Sequence, residues 1–310
     1  MDNDNERNAS SRPGNIHADE VAVDESTAKK LVATQFPQWA QLPVRKVESD
    51  GTDNAIYRLG EELAVRFPRI GSAVGQVEQD FRWLPFLAPQ LPLPIPAPVA
   101  KGEPGEGYPW VWSVFRWLEG ECATTGQIGD SREGANVLAR FVAALHRIDP
   151  AVGTPPVSPR GMSLLSRDRA VRDAIAALDR VIDTVAATAA WEAALRAPEW
   201  RGPPVWIHGD LHAGNVLVDR GRVSAVIDFG CFGAGDPACD MLPAWSILDA
   251  DGREAFRATL MPDEATWARG RGWALSIGLI ALPYYMDTHP GMARIARRLI
   301  DEVLSDRLRD

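Results

Sequence analysis

Lysine is the residue type that this chain has least of, relative to its charge. Of the 33 basic residues among 310, only four are lysines and the others are arginines. The four are Lys29, Lys30, Lys46 and Lys101. We interpret most of this imbalance as codon bias, but chemistry that requires a lysine has few positions available. Cysteine is scarce too: the three cysteines form no CxxC pair, which gives no support to a disulfide framework or a zinc ribbon.

Net positive charge and long hydrophobic runs are also missing. The formal net charge is -9 and the pI is about 5.2, which argues against nucleic-acid binding because such domains are normally basic. The longest apolar stretch, residues 273–286, contains Pro283 and is shorter than a membrane span. The first residues are acidic and polar, unlike a secretory signal. The sequence therefore predicts a folded cytoplasmic protein that binds neither nucleic acid nor membrane, and it leaves the oligomeric state open.

The chain falls into three regions by composition. Residues 1–17 are polar and predict a disordered tail. Residues 18–118 contain short strand patterns, whereas residues 119–310 are dominated by long helical patterns. We therefore predict an α+β fold, in which a small domain with an antiparallel sheet precedes a larger and mainly helical domain.

Within the first domain, apolar residues at helical spacing predict a helix that begins at Asp24 and stops at Pro37. Strands are predicted over 43–48, 55–59, 63–67 and 110–118, and a second helix over 72–87. The proline-rich stretch 91–98 is interpreted as a stiff connector into an edge strand. A polyproline ligand for another protein is the alternative.

The second domain is predicted to contain five helical segments, over 131–148, 167–197, 236–259, 263–288 and 291–309. Two short strands, Val205–Ile207 and Val223–Ile227, interrupt them and flank a loop rich in glycine and aspartate. A polar loop between two buried strands is a suitable place for functional side chains.

This loop and the residues after it carry the strongest functional signal. The loop reads His208-Gly-Asp-Leu-His-Ala-Gly-Asn-Val-Leu217, and the second strand ends in Val226-Ile-Asp-Phe-Gly230. Asp210 can orient a hydroxyl group, while Asn215 and Asp228 supply the hard oxygen ligands that Mg²⁺ prefers. Together these groups are suited to the transfer of a γ-phosphoryl group.

A zinc site is the alternative interpretation of the same loop, and it would make the protein a metal hydrolase. His208 and His212 have a spacing that binds a metal when the segment is helical. Gly209 and Gly214 disfavour a helix there, so the zinc interpretation is the weaker one.

The two segments resemble the catalytic and metal-binding segments of the aminoglycoside phosphotransferase family, which are relatives of protein kinases with HGD in place of HRD. The resemblance implies a bilobal kinase-like fold, ATP or GTP as phosphoryl donor, Mg²⁺ as cofactor and a small-molecule hydroxyl as acceptor. It makes Asp210 the catalytic residue and Asn215 and Asp228 the metal ligands. His208 becomes a hydrogen-bonding residue of the catalytic loop, which Asp240 braces through backbone N–H groups.

The resemblance also implies a phosphate-binding part in the first domain. Ser49, Gly51 and Thr52 are similar to the family's short nucleotide loop, in which backbone N–H groups bind phosphate. Arg66 stands where the family usually has a phosphate-binding lysine, and an arginine does not simply replace a lysine. Glu78, in the predicted helix that follows, is the expected ion-pair partner of Arg66.

The segment between the two domains resembles the family's hinge. Backbone and side-chain groups of Phe115, Arg116 and Leu118 are expected beside the purine of the nucleotide. The match to the family covers residues from about 45 to about 245.

The acceptor is less well determined by the sequence. In the family, the helices after the second segment form the acceptor pocket, and residues 241–310 contain ten acids against nine arginines. A nearly neutral region suits a polycationic aminoglycoside less well than an acidic one. Arg66-Phe-Pro-Arg69 and Leu91-Pro-Leu-Pro-Ile-Pro96 resemble the 2″-aminoglycoside and macrolide branches. We expect an antibiotic acceptor and a role in resistance, with a metabolite kinase or a catalytically silent nucleotide-binding module as alternatives.

Overall fold

The computed structural model describes residues 20–48, 53–124 and 127–307. The predicted tail, residues 1–17, lies outside these ranges. So do Ser49, Gly51 and Thr52 of the predicted nucleotide loop.

The described chain divides into two compact units. The first comprises the residues up to Arg82 together with Ala97–Trp117, and the second comprises Trp83–Pro96 together with the residues from Leu118 onward. This division differs from a single boundary at residue 118, because the segment Trp83–Pro96 is grouped with the second unit.

The first unit is built on an antiparallel sheet of five strands. In chain order they are β1 (Val44–Lys46), β2 (Asn54–Leu59), β3 (Leu63–Pro68), β4 (Pro98–Gly102) and β5 (Trp112–Arg116). Their order in the sheet is β1-β2-β3-β5-β4. Because β4 lies at the edge, the proline-rich segment before it deprives no neighbouring strand of a hydrogen-bond donor. The predicted connector into an edge strand is confirmed.

Alternating apolar residues form the core of the first unit. From Tyr57 in β2 to Phe67 in β3, the inward-facing residues are buried, namely Tyr57, Leu59, Leu63, Val65 and Phe67. Helix α1 (Glu25–Gln35) covers this core with Ala28, Leu31 and Val32. Its start is fixed by Asp24, whose side chain accepts a hydrogen bond from the backbone N–H of Thr27 at 2.7 Å. The helix predicted from Asp24 is thereby confirmed.

The remaining helices are α2 (Val74–Leu87), α3 (Ser131–Arg147), α4 (Asp168–Ala177), α5 (Thr184–Leu195), α6 (Pro243–Ser246), α7 (Ala250–Leu260), α8 (Glu264–Tyr285) and α9 (Pro290–Arg307). The single helix predicted over 167–197 is wrong, because α4 ends at Ala177 and α5 restarts behind the N-cap Asp183. The segment 236–259 is likewise divided, since Asp249 caps a new helix, α7. An aspartate within a helical sequence pattern can thus be the N-cap of a new helix.

Two small antiparallel sheets complete the second unit. One pairs β7 (Val205–Ile207) with β10 (Gly233–Gly235), and the other has the order β6-β8-β9. The bounds of the latter strands are β6 (Glu121–Cys122), β8 (Val216–Asp219) and β9 (Arg222–Val226). The strand β8 was not among those predicted from the sequence. β8 is joined to β9 by Arg220 and Gly221, both of which have a positive φ. The two strands therefore form a tight antiparallel hairpin.

The α+β class with a small antiparallel sheet and a larger helical part is confirmed. Within the described ranges, none of the helices combines the length and the apolar character that crossing a membrane requires.

Candidate active site

The loop that carries Asp210 is anchored at both ends by strands. It leaves β7 at Ile207 and reaches β8 through a short 3-10 turn, Ala213–Asn215. Gly209 has a φ of +82°, and a Cβ at this position would lie 2.6 Å from the carbonyl oxygen of Cys231. Only glycine fits this bend without a shift of the neighbouring backbone.

A buried carboxylate, that of Asp240, holds the backbone of the loop. Asp240 accepts hydrogen bonds from the backbone N–H groups of His208 at 3.0 Å and Gly209 at 2.8 Å. Its side chain is fully buried and also contacts Nε2 of His146 at 3.0 Å. Asp236 caps the 3-10 helix that contains Asp240, since its side chain accepts a hydrogen bond from the backbone N–H of Ala238 at 2.9 Å. The carboxylate thus restrains the backbone just before Asp210.

His208 connects the loop to the segment that carries Asp228. Its Nδ1 accepts the backbone N–H of Asp210 at 3.2 Å, so Nε2 carries the proton and donates to the carbonyl of Ile227 at 3.1 Å. Burial lowers the pKa of His208 and keeps the ring neutral. Since both ring nitrogens are used in hydrogen bonds, His208 offers no lone pair to a zinc ion, which argues against the zinc interpretation.

Asp210 keeps 22% of its side chain exposed and lies between the side chains of Arg160 and His212. Oδ1 is 3.4 Å from Nη1 of Arg160, and Oδ2 is 3.6 Å from Nε2 of His212. Burial alone would raise the pKa of Asp210, but Arg160 and then His212 outweigh it and hold the pKa below its usual value. The carboxylate is therefore ionised at neutral pH and can accept a proton.

Arg160 is a site residue that the sequence analysis missed. It belongs to no motif and precedes Asp210 by fifty residues in a segment without a helix or strand of its own. Only the packing of that segment against β10 brings it to the loop. No local sequence signal could have identified it.

The two predicted metal ligands differ in how they are held. Asn215 donates from Nδ2 to the carbonyl of Asp210 at 2.9 Å, and its Oδ1 accepts no hydrogen bond from any residue within the described ranges. Asp228 adopts a φ of +59°, and its Oδ1 accepts the backbone N–H of Gly230 at 3.2 Å. The backbone N–H of Ile227 donates to the carbonyl of Asn215 at 2.9 Å, which connects the two segments.

This donor set fits a magnesium ion. An amide oxygen and a carboxylate are hard ligands, and Mg²⁺ is usually held by one or two carboxylates together with substrate phosphates and water. Because Nδ2 is the amide atom that binds the carbonyl of Asp210, Oδ1 of Asn215 is left as the oxygen that could bind the ion. The roles of Asn215 and Asp228 as ligands remain predictions.

In the first unit, the predicted ion pair between Arg66 and Glu78 is wrong. Nη1 of Arg66 lies 3.2 Å from Oδ2 of Asp80, whose Oδ1 accepts a hydrogen bond from Nε2 of Gln76 at 2.6 Å. Glu78 instead contacts Nζ of Lys101 on the edge strand β4 at 2.5 Å.

Helix geometry explains this difference. Two residues along a helix correspond to a rotation of about 200°, so Glu78 and Asp80 lie on nearly opposite faces. Asp80 shares the inner face of α2 with Val77 and Leu84 and is 1% exposed, whereas Glu78 is 66% exposed. The sequence contains a signal for this position: Asp80 follows Val77 by three residues, a spacing that places both on the same face of a helix.

The predicted hinge residues lie at the end of β5 and just after it. Phe115 is buried, while Arg116 is exposed and its backbone N–H donates to the carbonyl of Ala97 at 2.9 Å. Its guanidinium contacts Glu62 at 3.2 Å. Leu118 is partly buried and begins the second unit's main segment. Their contact with a purine stays a prediction.

Residues 44–273 match the family model described as the phosphotransferase enzyme family. The chain belongs to this family. The match contains the predicted catalytic loop, both predicted metal ligands and Arg66, and it confirms the resemblance inferred from the sequence motifs.

Solved structures share the fold of this phosphotransferase. The GDP complex of wild-type aminoglycoside 2′-phosphotransferase IIIa is 18% identical, with a TM-score of 0.69, and covers 92% of this chain and 100% of its own. The GDP and kanamycin complex of APH(2″)-IIIa is 18% identical, with a TM-score of 0.69, covering 90% and 98%. Macrolide 2′-phosphotransferase MphH from Brachybacterium faecium is 22% identical, with a TM-score of 0.59, covering 88% and 98%.

Proposed function

We propose that the chain transfers the γ-phosphoryl group of ATP or GTP to a hydroxyl group of a small molecule. The observation that carries the proposal is the position of Asp210, in a loop that Asp240 fixes and that hydrogen bonds join to the segment of Asp228. A carboxylate that stays ionised at neutral pH orients the acceptor hydroxyl and takes its proton as transfer proceeds. Membership of the phosphotransferase family supports this reaction class.

Each remaining group has a distinct task in this proposal. Asn215 and Asp228 hold Mg²⁺, which when bound neutralises charge on the nucleotide phosphates. Arg66, which Asp80 holds in place, binds those phosphates with its guanidinium fork. His208 keeps the backbone N–H of Asp210 in place.

The predicted nucleotide contacts complete the donor site. They are those of Ser49, Gly51 and Thr52 with phosphate and those of Phe115, Arg116 and Leu118 with the purine. Structures of similar fold contain GDP, ADP or ATP, which supports a nucleotide donor without choosing the purine.

For the acceptor, we propose an antibiotic of the macrolide or aminoglycoside type, in a cytoplasmic enzyme of resistance. Similar folds occur in structures described with kanamycin, streptomycin and gentamicin and in macrolide phosphotransferases. A metabolite kinase is the alternative acceptor class. The silent-module alternative is disfavoured because Asp210, Asn215 and Asp228 are all present.

The experiment is a phosphorylation screen with the purified full chain. ADP or GDP release is followed over aminoglycosides, macrolides and amino-alcohol metabolites, with each nucleotide as donor. Asp210→Asn should abolish transfer and leave nucleotide binding intact, and Asp228→Ala should remove the magnesium-dependent rate. Asp219→Asn, an exposed position at the end of β8, is the matched control.

Unchanged turnover in Asp210→Asn would refute the catalytic assignment. If the wild type releases nucleoside diphosphate but phosphorylates none of the antibiotics, the proposal of phosphoryl transfer is retained and the antibiotic acceptor is excluded.

A further inference from the structure

A fully buried hydroxyl group in the first unit has no hydrogen-bond partner among the described residues. It belongs to Ser113 in β5, whose side chain is 0% exposed. Buried polar groups are nearly always hydrogen-bonded, and leaving one unsatisfied costs stability. Alanine would fill almost the same space without this cost, so packing alone does not account for the hydroxyl.

The register of the sheet places Ser113 on the face that α2 covers. The next residue, Val114, pairs with Val65 of β3, and both belong to the core that α1 covers. Because successive side chains of a strand alternate between the two faces, Ser113 and its partner Arg66 share the opposite face. Arg66 contacts Asp80 of α2, which identifies the helix on this side.

Two basic side chains flank Ser113 in the sheet. It pairs with Arg66 on β3 and with Lys101 on β4. Directly opposed residues of neighbouring antiparallel strands have Cβ atoms about 4.5–5.5 Å apart, so their side chains are neighbours. Arginine and lysine are hydrogen-bond donors only, whereas a hydroxyl can accept. The hydroxyl of Ser113 therefore lies between two side chains that can donate to it.

The two cations differ in depth. Lys101 contacts Glu78, which is mostly exposed, whereas Arg66 contacts Asp80, which is 1% exposed. Since the hydroxyl of Ser113 is itself enclosed, Arg66 is the cation whose head group lies at a comparable depth. A guanidinium has five N–H donors, enough for a carboxylate, a hydroxyl and a phosphate together.

The proposed function gives a second partner of Arg66 a task. Phosphate oxygens that bind the guanidinium bring negative charge close to the carboxylate of Asp80, and like charges repel. A hydroxyl accepts a hydrogen bond from the guanidinium without adding charge. A neutral acceptor beside Asp80 would therefore keep Arg66 in place as phosphate binds.

We propose that Ser113 is a positioning residue of the donor site. Its hydroxyl accepts a hydrogen bond from the guanidinium of Arg66 when nucleotide phosphates are bound, and together with Asp80 it holds this cation on the side of the sheet that α2 covers. The inference rests on the proposed binding of phosphate by Arg66, whereas the burial and the register of Ser113 are independent of it.

The test compares nucleotide binding with thermal stability in the full chain. Calorimetric titration with magnesium and a non-hydrolysable ATP or GTP analogue gives Kd, and turnover of ATP or GTP gives KM and kcat. We expect Ser113→Ala to raise Kd and KM about fivefold or more, as for a lost hydrogen bond to a charged group, with a smaller change in kcat. Its Tm without nucleotide should equal or exceed that of the wild type, because an unsatisfied hydroxyl is removed.

Ser276→Ala is the matched control, since this serine is equally buried but hydrogen-bonded. Its Oγ donates to the carbonyl of Trp273 at 3.0 Å and accepts from Nε of Arg167 at 3.0 Å. The substitution should lower Tm and leave nucleotide affinity unchanged. Ser113→Thr keeps the hydroxyl on a residue that strands favour, and it should retain most of the affinity that Ser113→Ala loses.

A double variant decides whether Ser113 acts through Arg66. If it does, adding Ser113→Ala to Arg66→Gln should weaken nucleotide binding no further than Arg66→Gln alone, because the two residues belong to one interaction. The proposal is overturned if the two losses add in full. It is also overturned if the wild type binds and turns over nucleotide while Ser113→Ala leaves Kd unchanged, a result that keeps the proposed function. A wild type that binds neither ATP nor GTP overturns both.

Discussion

Replacing Asp80 by alanine should harm the first unit far more than replacing Glu78. Both carboxylates lie on α2 and both contact a basic side chain, Arg66 for Asp80 and Lys101 for Glu78. They differ in burial, since Asp80 is almost fully enclosed and Glu78 is mostly exposed. The comparison therefore measures what burial adds to an ion pair.

The expected magnitudes follow from these contacts. Removing one partner of a fully buried ion pair costs about 3–5 kcal/mol. Arg66 retains 16% exposure, so solvent compensates part of the loss, while the hydrogen bond from Gln76 to Asp80 is lost as well. We expect about 2–4 kcal/mol of destabilisation for Asp80→Ala. For Glu78→Ala the expected cost is about 0–1 kcal/mol, as for other exposed pairs.

The assay combines stability with nucleotide affinity. Urea unfolding followed by tryptophan fluorescence gives the midpoint for each variant, and the KM for ATP and GTP gives the effect on the donor site. Asp80→Ala should lower the midpoint and raise the KM, since Arg66 loses its orientation. Equal or larger effects from Glu78→Ala would refute the assignment of Asp80 as the partner.

The exchange Arg66→Lys adds information about the same pair. Retained nucleotide affinity would show that charge alone suffices at this position, whereas lost affinity would show that the guanidinium fork is required. If side-chain length matters, adding Asp80→Glu to Arg66→Lys should restore affinity, because the longer carboxylate reaches the shorter cation. A double variant that is worse than either single one would contradict this reasoning.

Three further predictions concern the second unit. Arg160→Gln should raise the pKa of Asp210 toward its usual value, so that the acidic limb of the pH profile of kcat/KM moves to higher pH; an unmoved limb would contradict the cited electrostatics. Asp240→Ala leaves two buried backbone N–H groups without an acceptor and should cost about 2–4 kcal/mol, measured by chemical unfolding, with a large loss of kcat. Gly235→Ala would make a Cβ overlap the Cα of Gly161 and should lower Tm, with a cost of about 1–3 kcal/mol; an unchanged Tm would show that the segment can shift.

Where the sequence analysis succeeded, short-range chemistry decided the outcome. The loop from His208 to Asn215 and the segment ending in Asp228 are each contiguous, and the residue types alone indicate the groups they present. The edge position of β4 followed from proline's missing N–H group, and the start of α1 followed from an aspartate cap. These features depend on a few neighbouring residues.

Where the prediction from sequence failed, the missing information was where a helix ends, which face of a helix a residue occupies, or how distant segments pack together. The break between α4 and α5 required weighing Asp183 as a cap against a helical pattern that continues on both sides. Asp80 could have been found from the buried stripe of α2, which it shares with Val77. Arg160 could not, because it approaches the loop only through the contacts of its segment with β10.

The scarcity of lysine has its main consequence at β3. An arginine there is longer than the lysine that the family usually carries, and its contact is an aspartate, one methylene shorter than glutamate. The two changes offset each other, so the cation can stay on β3 and the carboxylate on the inner face of α2. Lys101 cannot take over, since it lies on the edge strand and contacts the outward-facing Glu78. The identity of the cation and the helical position of its partner are therefore coupled, and a substitution at either one should be judged with the other.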